Sequence, residues 1–104
     1  MKLLCINSES KPPEIPESKF VKEGEWYELL MVIRCMPGNI IGFQFVSPEL
    51  DENCLPYICY LGTRFAMLEK DIEEFEQLCR DCADLDSLDL EQLIEESQLE
   101  ILEQ

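Results

Sequence analysis

Between Gly24 and Val46 the chain is written in two runs of apolar, β-branched and aromatic residues that flank a turn carrying Pro37, Gly38 and Asn39. This pattern predicts a β-hairpin. Side chains of a strand alternate between its faces. In the first run Tyr27, Leu29, Met31 and Ile33 therefore share one face; in the second, Ile41, Phe43 and Phe45 do. The two faces are predicted to meet in a core, with Tyr27, Met31, Ile33, Ile41, Phe43 and Phe45 inside. The other face of the first run, Trp26, Glu28, Leu30, Val32 and Arg34, is mixed, which predicts that another element partly covers it.

The same reading extends over the remaining chain. Residues 2–7, centred on Leu3-Leu4-Cys5-Ile6, read as a strand. Residues 8–18 form a polar loop in which Pro12, Pro13 and Pro16 fix the backbone and remove donors, so it should run extended outside the ladder. Phe20 and Val21 pin it to the core. A second loop over 47–55 precedes a strand over Tyr57–Leu61 and a turn, Gly62-Thr63-Arg64-Phe65, with an aromatic plug. From Glu69 the period changes. Ile72, Phe75, Leu78, Cys79 and Cys82 recur at helical spacing, with Asp71, Glu73 and Glu74 where the helix dipole favours acids. Ser87 is placed to cap a second helix whose stripe is Leu90, Leu93, Ile94, Ile101 and Leu102. The two helices predict an αα-hairpin. Each is too short to persist alone in water, so they pack on each other, on the strands or on a second copy of the chain.

Strand, proline loop, hairpin, loop, strand and short turn come in the order of an SH3-like barrel. Leu4-Cys5-Ile6-Asn7, Val21-Lys22-Glu23-Gly24-Glu25-Trp26-Tyr27 and Thr63-Arg64-Phe65 carry a closer likeness. Over about residues 2–66 the chain resembles a group of small uncharacterised SH3-like β-barrel proteins of bacteria, especially gut bacteria, and their phages. The resemblance implies a small antiparallel barrel and a phage or mobile-element setting; it implies no activity. The expected fold is thus mainly β plus α: a barrel over residues 1–68 followed by an acidic two-helix appendage over 69–104.

Charge sharpens the division. The chain carries 23 acidic against 8 basic residues and no histidine, a net −15. Residues 67–104 hold 14 of the acids and 2 of the bases, so the composition changes near Ala66. Such a balance argues against direct binding of nucleic acid, whose phosphates attract Lys and Arg, and against anionic membrane surfaces. The apolar run at Met1–Ile6 is too short for a signal sequence, so the six cysteines read as reduced thiols of a cytoplasmic protein.

Candidate chemistry is sparse. Cys79-Arg80-Asp81-Cys82 has the C-x-x-C spacing of redox and zinc sites, with Cys54 and Cys59 as further thiolates. Both members of the pair also lie on or beside a helical apolar stripe, and core packing is the reading preferred; no cofactor and no metal are expected. Without histidine no nucleophile stands beside a base, and paired glutamates such as Glu73-Glu74 and Glu95-Glu96 are what a solvated helix face carries. The functional expectation is a non-enzymatic protein-interaction module. Trp26, Tyr57 and Tyr60 are its candidate aromatic groove, and Glu73, Glu74, Glu95 and Glu96 a candidate face for another protein, a basic one. The alternative is an acidic decoy that mimics nucleic acid and inhibits a DNA- or RNA-binding protein. A homodimer through the helical tail is the remaining partner expected.

Overall fold

An extra residue in the second strand decides which side chains reach the core. The computed structural model describes residues 1–35 and 38–103. Its strands are β1 (Lys2–Cys5), β2 (Trp26–Cys35), β3 (Ile40–Phe45), β4 (Tyr60–Leu61), β5 (Phe65–Leu68) and β6 (Glu100–Leu102); its helices are α1 (Ile72–Arg80) and α2 (Leu90–Ser97). The hairpin forms as β2 and β3, with Gly38 and Asn39 both at positive φ in its turn; Met36 and Pro37 of the expected turn lie outside the described residues. Leu29 pairs with Phe45, yet Met31 pairs with Gln44, so β2 carries a bulge. A bulge reverses the inward parity of the residues beyond it. Leu29 and then Val32 face the core, and Met31 is turned out, 48% exposed. The expected inner set is corrected accordingly: Ile41, Phe43 and Phe45 are buried, Tyr27 and Ile33 are half-buried, and Met31 lies outside.

The expected SH3-like barrel with a C-terminal helical hairpin does not form. The six strands make one open sheet in the order β4-β3-β2-β1-β5-β6, with β4 and β6 at opposite edges. Two local features divert the tail from a helical hairpin. Gln98 takes the left-handed conformation (φ 57) and ends α2. The next residues, expected to extend the helical stripe, enter the sheet as β6, parallel to β5, with Ile101 beside Met67 and Leu102 beside Leu68. Parallel neighbours need a crossover, and residues 69–99 supply it, carrying α1 and α2 across the sheet. The composition change near Ala66 therefore falls within β5, between β1 on one side and β6 on the other.

The cap of α2 is also corrected. Asp89, not Ser87, accepts from the Gln92 N–H at 2.8 Å, and Gln92 reaches back to the Asp89 N–H, a complete capping box. Between the helices, Arg80 donates to the carbonyls of Asp86 and Leu88 and to Glu76, holding the connection in place.

The core lies between one face of the sheet and a cover made of the helices and the 12–21 loop. Val32, Phe43 and Tyr60 sit in adjacent paired positions and so share that face. Phe43 meets Phe65 and Phe75 edge-on at 6.1 and 6.2 Å, and Phe45 lies 4.9 Å from Phe65. Phe75, Cys79, Leu85 and Leu93 are wholly buried in this cluster. Helix packing on Val32 accords with the expected cover of that strand, but Trp26 and Leu30 stay uncovered, at 44% and 50% exposure. Among the described residues no helix is long and apolar enough to cross a membrane.

Candidate functional site

Gly42 sits on the face of β3 opposite Phe43, and its bare α-carbon leaves room for a disulfide. Cys35, the last residue of β2, is bonded to Cys59, just before β4. A β-carbon at Gly42 would lie 3.0 Å from the Cys35 sulfur and 2.9 Å from the Cys59 β-carbon. The expectation of six reduced thiols is thereby corrected: the hairpin brings two positions 24 residues apart face to face across β3, a proximity that strand spacing alone does not reveal.

This bond forms part of a cleft of about 380 Å³. One wall is the continuous stretch Pro56–Leu61, which ends in the edge strand β4. The opposite wall is Pro12, Ile15 and Phe20 from the proline loop, with Arg64 beside them and Ile40 completing the lining. Ile15 and Phe20 are themselves buried, so the loop is anchored to the core and the cleft is a formed feature. Ile58, 41% exposed, separates the cleft from a hollow of about 70 Å³ lined by Leu30, Gln44, Glu49 and Leu50.

The ionisable groups of the cleft are few. The Tyr60 hydroxyl donates to the Lys19 carbonyl at 2.5 Å, and burial raises its pKa above the ordinary tyrosine value. Arg64 lies over the Phe20 ring, 4.9 Å from its centroid, a cation–π contact. Its guanidinium donates to the carbonyls of Glu9 at 2.7 Å, Asn7 at 3.3 Å and Ser10 at 3.5 Å. The lining offers apolar contact, the two-residue edge strand β4 and one oriented cation.

The residues singled out from the sequence do not form one site. Tyr57 and Tyr60 both line the cleft, the first half-buried and the second buried in the core. Trp26 opens β2 opposite Leu4 and is not part of the lining. Glu73 and Glu95 are exposed. Glu74 accepts from the Met1 ammonium at 2.6 Å and Glu96 from Arg34 at 3.0 Å. Pro12, Ile15, Ile58 and Arg64 were missed; Arg64 had a signal, as the central residue of Thr63-Arg64-Phe65.

The cysteine pair is separated by burial. Cys79 is fully buried and Cys82 half-buried, both as free thiols. Burial pushes the Cys79 thiol up to about 12, the reverse of what a reactive thiolate requires. Cys54 is enclosed in the core and Cys59 is committed to Cys35, so the four thiols considered for zinc are not assembled. Among the described residues no group of three or more metal-ligating side chains converges. Comparisons with protein-family models, with curated proteins and with solved structures find no match to this chain.

Proposed function

We propose that the chain is a non-enzymatic protein-interaction module that receives an extended apolar segment of a partner protein. One observation carries this reading: the cleft is walled by six consecutive residues, Pro56–Leu61, the last two of which form the edge strand β4 of the sheet. An edge strand presents unpaired backbone groups to an incoming strand, and neighbouring apolar hollows select its side chains. The volume falls in the range of built binding sites, about 300–1,000 Å³. The test is selection from a displayed peptide library, with Ile58→Glu as the counter-target. Selected peptides should bind the native chain and lose at least about ten-fold on the variant, whose exposed substitution leaves the melting temperature unchanged. Binders indifferent to Ile58→Glu overturn the reading.

The acidic decoy is the second reading, supported by Glu73, Glu91 and Glu95, exposed on the two helices. It requires binding to a basic protein that weakens steeply with salt and is lost when these three glutamates become glutamine. The cytoplasmic placement was read from the short apolar run at Met1–Ile6 and implies reduced thiols; the Cys35–Cys59 bond weighs against it, because such bonds persist in oxidising compartments. Alkylation of the thiols in the source cell before lysis decides the point.

A further inference from the structure

We infer that the cleft takes the C-terminal end of its partner, an extended apolar segment whose terminal carboxylate pairs with Arg64. This rests on the interaction reading above and specifies its ligand. The chain has three arginines. Arg34 and Arg80 each face a glutamate, at 3.0 and 3.1 Å. Arg64, among the described residues, has no carboxylate within ion-pair distance, in a chain with 23 acids.

The guanidinium is nevertheless fixed in place. Three of its five N–H groups go to the Asn7, Glu9 and Ser10 carbonyls, and its face lies on Phe20. Neutral acceptors hold the group without cancelling its charge, which leaves a pre-oriented cation with two donors to spare. It stands three residues beyond Leu61, where the peptide wall of the cleft ends. A net charge of −15 repels anions in general, so a ligand with one carboxylate and an otherwise apolar body suits this place better than a polyanion. A polypeptide end fits better than a fatty acid, because its backbone can pair with the free edge of β4 and a hydrocarbon chain cannot.

The probe is an array of hexapeptides with the last four positions varied over Val, Ile, Leu and Phe. Each is made as a free carboxylate and as an amide, and binding is read by fluorescence anisotropy on the full chain. The best acids should bind about ten-fold more tightly than their amides, as a charge-assisted pair does over a neutral contact. Arg64→Gln should erase the difference, Arg64→Lys should keep part of it, and Ile58→Glu should abolish binding of both forms. Acids and amides of equal affinity on the native chain, which needs no variant to fold, overturn the carboxylate inference and leave the interaction reading standing. A difference that survives in a folded Arg64→Gln also overturns it, as does dodecanoate displacing the peptides at equal or lower concentration. Binding of no peptide in either form, or binding untouched by Ile58→Glu, overturns both.

Discussion

The carbonyl oxygen of Ser97 lies against the α-carbon of Gly62, in the space that a methyl group there would occupy. The contact joins the last residue of α2 to the turn between β4 and β5, and Phe43 closes it from below, 3.1 Å from where a β-carbon would stand. Gly62 has no positive φ, so its role is clearance and not backbone freedom. Gly62→Ala is predicted to lower stability by at least about 3 kcal/mol, because backbone cannot yield as a flexible side chain does. For a chain of this length that is about 12 °C or more in melting temperature. A variant melting within 2–3 °C of the native protein, a shift worth roughly half a kcal/mol, would show that α2 does not close on this turn.

A second glycine gives a test of the disulfide that depends on coupling. Opening the Cys35–Cys59 link, which spans 24 residues, should cost about 3 kcal/mol by chain entropy. Gly42→Ala should be severe while the bond lies over it, since the new methyl group meets both sulfurs. In a Cys35→Ala, Cys59→Ala background both sulfurs are gone and only the β-carbon at position 59, 2.9 Å away, still crowds the methyl group, so the same change should cost much less. The two effects are then strongly non-additive in a double-mutant cycle. Additivity within about 0.5 kcal/mol would place the disulfide away from Gly42.

Buried acids, Cys79 and Tyr60 foremost, followed by Cys5 and Tyr27, are predicted to lower stability at alkaline pH. Burial raises Cys79 to about 12 and Tyr60 above its usual range. Their folded pKa values exceed the unfolded ones, so the unfolded chain loses its protons first. The stabilisation is complete below about pH 9 and declines as pH rises toward 12, by up to about 1.4 kcal/mol per pH unit for each group. Urea melts between pH 8 and 10.5 should show falling stability. Cys79→Ala, though weaker at pH 8, should fall less steeply. Equal slopes in the two proteins would mean that the Cys79 thiol titrates normally.

Particular residues show what the sequence could disclose. The β2–β3 hairpin and the inward set Ile41, Phe43 and Phe45 were legible because an uninterrupted strand obeys a period of two. Met31 was misplaced because a bulge inserts one residue with no glycine or proline to announce it. The helical period of Ile72, Phe75 and Cys79 was legible too. Leu99 to Leu102 was not, because four apolar-rich residues fit a helix stripe and a buried parallel strand equally well. The left-handed turn falls on Gln98, a residue without the glycine that marks most helix ends. The cleft was half visible through Tyr57 and Tyr60. Its other wall comes from a loop nearly forty residues earlier in the chain, and only the folded sheet brings the two together.

The tail offers the last test, since it was expected to be an appendage. Phe75, Cys79, Leu85 and Leu93 are fully buried, and Leu99 nearly so, in one cluster with Leu3, Phe43 and Phe65. Each large apolar side chain buried this way contributes about 1.5–3 kcal/mol, and small domains hold only about 5–15 kcal/mol in total. Ending the chain after Leu68 removes all five, uncovers Val32 and Phe43 on the sheet face, and leaves β5 as a bare edge. The truncated chain should show no cooperative melt, should bind hydrophobic dyes and should aggregate. A soluble fragment with a native-like melting curve would mean that residues 69–103 are separable from the sheet. In that case the helices could act as an independent acidic element, and the decoy reading would gain over the cleft.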